Sequence, residues 1–256
     1  MDTRPVLRLP RAGRPDPPAG RATAVSVGDD VVVEIHAARP ADGGDALMLL
    51  DDAERRRHDR LRREVDRARF AVGRRVLRHA VAERHGVAAR TIEVRTAPAP
   101  ALAGAGAGGG RPVVPGGPRG ISIAHGGQLV LVALCDVHAV GVDVEPLASS
   151  ASIEAVATTL LGPAEHAALR ARTDPELGTG CSRQLELLRA WTRKEAILKA
   201  VGVGLTVPPE AIVLARDGAP RVAATSGGLP EARRFALWDL DAGPGHVAAL
   251  AVLRDG

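Results

Sequence analysis

The chain has 256 residues, 45% of them apolar and 25% charged, with a formal charge of +4; that length can bury a real core in one large domain or two small ones. A pI near 9.9 favours anionic partners such as nucleotides, phosphates or acidic proteins. The composition excludes a membrane span, a signal-peptide core and a base-stacking nucleic-acid surface: no apolar run is long enough, and the basic segments lack interleaved aromatics.

A cytoplasmic chain is therefore expected, with Cys135 and Cys181 reduced. Two Trp, two Phe and no Tyr leave Val, Leu and Ala to fill the interior. Residues 1–21, rich in Pro, Arg and Gly without periodicity, read as a flexible arm. The first strand is Val31-Val32-Val33-Glu34-Ile35-His36. Asp51 or Asp52 suits a helix N-cap, and the helix runs to His85 with Leu61, Val65, Ala68, Val72 and Val76 on one stripe and Gly86 as its stop. A strand is expected over 91–95, then a loop or linker over the Ala/Gly/Pro-rich stretch 97–120. Strands 121–124 and 129–135 follow, joined through Gly126-Gly127 by a hairpin-like turn.

The next strand contains Gly141-Val142-Asp143-Val144-Glu145-Pro146. Side chains alternate across a strand, so Asp143 and Glu145 share one face while Val142 and Val144 share the other. Two carboxylates side by side at an apolar strand end repel unless a cation sits between them; Mg²⁺, a hard ion completed by substrate phosphates, suits the pair. The plainer reading is two solvated acids. Helical segments then cover 152–172 and 182–201, and strands return near 211–214, 235–240 and 246–253, with 221–224 weaker. Strand, helical region and several strands thus occur twice. The order predicts an α+β fold of two similar halves, 22–138 and 139–256, behind the arm.

On the last long helix, Leu187, Ala190, Trp191, Ile197, Leu198 and Val201 form an apolar face with Lys194 near its middle. A buried ammonium there needs an anionic partner. Glu195 lies at the edge of the stripe and Lys199 one turn further on. An ordinary surface ion pair would account for Glu195 and Lys199 but not for Lys194. Facing Asp143 and Glu145, Glu195 would supply a third carboxylate for Mg²⁺.

These two motifs resemble those of the 4′-phosphopantetheinyl transferases of the surfactin-synthetase-activating (Sfp) type: Gly141 to Glu145, and Trp191-Thr192-Arg193-Lys194-Glu195-Ala196-Ile197-Leu198-Lys199, separated by a helical insert with Gly162-Pro163-Ala164-Glu165. Upstream, Gly110-Arg111-Pro112 resembles the family's Gly-Lys-Pro, Ile121-Ser122-Ile123-Ala124-His125-Gly126 its strand ending in Ser-His-Ser, and Asp66, Arg69, Gly73 and Arg78 its Asp-x-x-Arg helix. The resemblance runs from about residue 31 to the C-terminus. It implies two pseudo-symmetric α+β halves with the active site between them, and transfer of the phosphopantetheine arm of coenzyme A to a serine of an apo acyl or peptidyl carrier protein, releasing 3′,5′-ADP. By the same resemblance, Asp143, Glu145 and Glu195 would hold Mg²⁺, with Glu195 also the general base. Lys199 and Lys194 would offset phosphate charge, and Arg69, Arg111 and His125 would hold the 3′-phosphate and adenosine end.

Two departures matter: Ala124 stands where a hydroxyl residue is usual, and Arg111 replaces Lys. Length and internal repetition favour a monomer over the family's short trimeric type. A homologue that binds carrier proteins without turnover is the main rival, and the presence of all three carboxylates argues against it. A P-loop phosphotransferase is excluded, because no Gly-x-x-x-x-Gly-Lys-Ser/Thr occurs and the glycine-rich run 104–110 lacks the lysine. The arginine run 55–57 reads as a solvated helix face.

Overall fold

A computed structural model describes residues 5–10, 17–27, 31–42, 44–100, 110–173, 182–215 and 217–255. The chain opens with β1 (Arg21–Ser26) and β2 (Val32–Ala38), then α1 (Asp52–Arg60) and α2 (Glu64–His85). Next come β3 (Arg95–Pro98), β4 (Gly110–Val113), β5 (Gly120–Gly126), β6 (Leu129–Cys135) and β7 (Ala139–Pro146). The short helices α3 (Ser150–Ile153) and α4 (Ala157–Leu160) lead to α5 (Pro163–Thr173) and the long α6 (Arg183–Val201). The strands β8 (Ile212–Leu214), β9 (Val222–Thr225), β10 (Phe235–Leu240) and β11 (His246–Leu253) complete the order.

Helices and antiparallel sheets make an α+β fold, and its topology repeats. One sheet has the order β1-β2-β6-β5, the other β10-β11-β7, and β3-β4 and β8-β9 are small separate ladders. In the first part β2 leads through two helices and the β3-β4 ladder to the β5–β6 hairpin, whose second strand pairs back onto β2. In the second, β7 leads through α3–α6 and the β8-β9 ladder to β10 and β11, and β11 pairs back onto β7.

Period-2 patterning decides how the layers stack. The faces bearing Val33 and Ile35 of β2, Leu131 and Ala133 of β6, Val140, Val142 and Val144 of β7, and Leu250 and Val252 of β11 pack into one core between the sheets. Helix α2 covers the outer face of the first sheet, with Val72, Val76 and Leu77 against Val130, Val132 and Leu134. Helix α6 covers the outer face of the second, with Ala196, Ile197 and Ala200 against Ala249 and Ala251. Each fully buried Val, Leu or Ile contributes about 1.5–3 kcal/mol, so these three interfaces carry most of the driving force. Among the described residues no helix is long and apolar enough to cross a membrane.

The elements differ from expectation at identifiable places. Residues 5–10, expected in a flexible arm, are tied down: Leu7 N–H donates to Asp241 O (3.0 Å), Asp241 N–H to Pro5 O (2.9 Å), and Leu7 is buried. Residues 17–20 are ordered too, with Ala19 buried ahead of β1; 1–4 and 11–16 lie outside the described residues, as does Cys181. The helix expected over 51–85 begins at Asp51 with a capping box to Glu54 and ends at Gly86 in the left-handed region. It breaks at 61–63, where Arg67 Nη1 donates to Leu61 O (2.9 Å), serving a carbonyl the broken helix leaves free. The strand expected at 91–95 starts later, as β3, and pairs with β4 inside the stretch expected to be a loop. Helix 152–172 is interrupted before Pro163, whose missing N–H suits a first helical position.

Helix α6 lies very close to β7. Gly141 sits on the face of β7 that carries Asp143 and Glu145, and a Cβ there would overlap the carbonyl oxygen of Ala196 and lie 2.5 Å from Ala200 N. Gly141→Ala is expected to cost about 1–3 kcal/mol through overpacking. Gly245→Ala, where a Cβ meets nothing within 4 Å, should stay within about 0.5 kcal/mol. Urea midpoints of the two variants, compared with the parent, check this, and equal midpoints would refute the close-packing account.

Candidate active site

Alternation along β7 turns Asp143 and Glu145 toward α6, and the four-residue spacing on α6 aligns Trp191, Glu195 and Lys199 toward β7. Trp191 Nε1 donates to Glu145 Oε1 at 3.3 Å, and Lys199 Nζ donates to Asp143 Oδ1 at 2.6 Å. Glu195 stands on the helical turn between them. Sequence reasoning placed all of these but Trp191 in the site, although its place four residues before Glu195 was the available signal.

Three carboxylates face one ammonium here, and the charges show the strain. Burial, reinforced by Asp143 and Glu145 and opposed by Lys199, pushes the Glu195 carboxyl up to about 7. Glu145 is also raised, by burial first and then by Asp143, against the Trp191 hydrogen bond and the Lys199 and Arg69 cations. Burial works to lower the Lys199 pKa, but Asp143, Glu195 and Glu145 outweigh it and hold the ammonium above its ordinary value. Asp143 Oδ2 and Glu195 Oε1 are buried without a hydrogen-bond partner among the described residues. Buried oxygens of this kind are costly and call for a donor or a cation.

No three His, Cys, Asp or Glu side chains among the described residues stand as a ready-made metal set. Lys199 meets Asp143 instead. The donors nevertheless fit a hard divalent ion in kind and charge: all are oxygens, they outnumber the local cation, and two are orphaned. Their spacing is not preset for one.

Arg69 reaches the site from α2. Its Nη1 donates to Asp66 Oδ1 (3.1 Å) and its Nη2 to Gly127 O (2.7 Å), while Nε is buried without a partner among the described residues. His125, at the end of β5, is held below its ordinary pKa by burial and then by the cations Lys199 and Arg69, so these three groups are electrostatic neighbours. Arg111 on β4 lines a cavity of about 180 Å³ with Ser122, Lys199 and Gly202. Lys199 thus links Arg111 on one side to His125 and the acids on the other.

Lys194 is elsewhere. Expected beside phosphate, it is fully buried and donates to Glu165 Oε2 (2.7 Å) and Leu160 O (2.7 Å). The anionic partner that its place on the apolar face demands is therefore Glu165 of the Gly162–Glu165 stretch, which also accepts from Gly162 N and Leu214 N. Arg78 and Gly73 of the α2 motif are likewise structural. Arg78 pairs with buried Glu54 (2.8 Å), and Gly73 lets α2 approach Ile123.

Residues 139–251 match the family model described as the 4′-phosphopantetheinyl transferase superfamily. The match includes Asp143, Glu145, Trp191, Glu195 and Lys199 and leaves out the elements that carry Arg69, Arg111 and His125. No curated protein matches the chain.

The assignment of Lys194 is checked by stability. Glu165→Gln leaves a buried ammonium without its counter-charge and is expected to cost about 3–5 kcal/mol. Adding Lys194→Met removes the unpaired charge and should restore most of that loss. If the double variant unfolds at the same urea concentration as Glu165→Gln alone, the pair is not what holds this region.

Proposed function

We propose that the protein is an Mg²⁺-dependent 4′-phosphopantetheinyl transferase that moves the arm of coenzyme A onto a serine of an apo acyl or peptidyl carrier protein. The observation that carries this reading is the Trp191–Glu195–Lys199 stripe set against Asp143 and Glu145, all within the matched region. In the reaction the serine oxygen bonds to the β-phosphorus of coenzyme A. The bond from that phosphorus to the bridging oxygen breaks, and 3′,5′-ADP leaves.

Each residue has a role in this reading. Glu195, raised to about 7 in the metal-free site, would be held as the carboxylate once Mg²⁺ is bound, the form that takes the serine proton. Lys199, kept protonated by the acids around it, offsets pyrophosphate charge as it builds. Asp143, Glu145 and Glu195 would hold Mg²⁺, which when bound supplies further charge stabilisation at the pyrophosphate. Trp191 fixes one oxygen of Glu145 and so limits how that carboxylate turns. Arg69, Arg111 and His125 flank Lys199 and would grip the 3′-phosphate and adenosine end. Lys194 has no part in this scheme.

Incubation of apo carrier proteins with coenzyme A, Mg²⁺ and the protein, read by intact mass, tests the function; no mass gain on any carrier would overturn it. Asp143→Ala should abolish transfer while circular dichroism stays unchanged. Glu195→Gln should lose about a hundredfold or more in kcat, whereas a loss confined to KM would make Glu195 only a binding group.

The 3′-phosphate grip predicts a preference for coenzyme A over dephospho-coenzyme A in kcat/KM. An Arg69→Ala/Arg111→Ala variant should lose most of it, since a charge-assisted hydrogen bond contributes about 1.5–3 kcal/mol. Ala124→Ser should tighten coenzyme A alone. Equal use of the two substrates by the parent would remove this role from all three residues.

A further inference from the structure

Gly127 stands at an unusual junction. Its carbonyl accepts from Arg69 Nη2 at 2.7 Å, across 58 residues of sequence. Its φ is +53°, a left-handed conformation that glycine adopts freely. A Cβ on it would lie 2.8 Å from His246 Nε2 and 3.1 Å from Pro146 Cβ. The preceding Gly126 is pressed onto β7, where a Cβ would overlap the carbonyl oxygen of Val144. The turn between β5 and β6 is thus seated on Val144, Pro146 and His246 of the other sheet, and its outward carbonyl anchors a guanidinium from α2.

The second tie on Arg69 is weaker. Asp66 lies three residues away on the same helix and is part-exposed, and such local pairs hold a side chain only weakly. The long-range fixed point is the Gly127 carbonyl. His246, first residue of β11 and paired with Pro146, is held through a hydrogen bond with the Gly126 backbone. Its Nε2 is buried without a partner among the described residues, so the ring acts there as a filler of space. Arg69 in turn lies close enough to bias the charge of both Glu145 and His125.

We infer that His246 is a positioning residue: by filling the space beside Gly127 it seats the Gly126–Gly127 turn, and the Gly127 carbonyl then aims Arg69 at the 3′-phosphate of coenzyme A. The inference rests on the function proposed above. The ring, the missing Cβ and the carbonyl form one mechanical chain from β11 to α2. No contact of His246 with substrate is required.

The test is calorimetric binding of coenzyme A and dephospho-coenzyme A to the full chain, in the parent, Arg69→Ala, His246→Ala and Gly127→Ala. The parent should prefer coenzyme A. Arg69→Ala should lower that preference about tenfold or more, and His246→Ala and Gly127→Ala should each lower it severalfold, with dephospho-coenzyme A affinity within twofold of the parent. His246→Ala keeping the full preference overturns the inference, and so does an equal loss for both ligands, which marks general damage. A parent without preference, or an Arg69→Ala variant that keeps it, overturns the 3′-phosphate role of Arg69 and this inference with it. That outcome is distinguishable because it appears before His246 is touched.

Discussion

The absence of one side chain, at Gly141, sets the geometry on which the candidate site depends. Because nothing projects from that position, α6 can lie with Ala196 and Ala200 directly on the backbone of β7. Those two alanines flank Glu195 and Lys199 in sequence, and Gly141 precedes Asp143 by the two residues that put both on one strand face. The contact therefore fixes helix height and register together. Raising α6 by the width of a methyl group would lengthen the 2.6 Å contact between Lys199 and Asp143 and draw Trp191 away from Glu145. Small residues at the contact and charged ones beside it are parts of one arrangement.

The same closeness explains the electrostatics. Bringing three carboxylates into a partly buried seam opposite one ammonium costs free energy that folding must supply, and the excess shows as a Glu195 carboxyl lifted to about 7 and two buried oxygens without partners among the described residues. Natural folds keep such frustration mainly where function uses it. The contrast with Lys194 is instructive. It is fully buried, yet its ammonium donates to Glu165 and Leu160 O, and Glu165 in turn accepts from the Gly162 and Leu214 N–H groups. One face of α6 thus carries an internally closed ion pair, and the face toward β7 an open one that still wants positive charge.

Much of this was legible in the sequence because the period of the pattern was clean. Alternating Val142, Asp143, Val144 and Glu145 define both faces of β7, and β10 and β11 lie at 235–240 and 246–253, where strands were expected. The fold class followed from element order. What escaped was written in contacts between distant segments. Strand β1 is half exposed, its alanines alternating with Arg21 and Thr23 ahead of Val25 and Ser26, too faint a signal beside a Pro-rich arm. The seating of Leu7 against Asp241 spans nearly the whole chain. Lys194 could be recognised as needing an anion, but choosing Glu165 over a substrate phosphate required knowing which side of α6 meets α5. The arginine and histidine expected around the 3′-phosphate were placed near Lys199, while the carbonyl that anchors Arg69 left no trace in residue type beyond the glycine that bears it.

The repeated topology gives the site its last property. Each part of the chain builds a sheet covered by one long helix, and the sheets stack through a common apolar core. Neither half alone holds a balanced site: the second carries the acids and Lys199, while the first brings Arg69 and His125 to the seam where β5 lies beside β7. That seam is joined by the Ser122 Oγ bond from Val142 N–H (3.1 Å) and by glycines at both ends of β5, Gly120 and Gly126, each pressed onto a β7-side carbonyl. A side chain at either glycine would part the two sheets at their shared edge. Arg69 and His125 are therefore held to the acids of the second half by backbone contacts that tolerate almost no displacement, and the electrostatic balance of the seam is inherited from its packing.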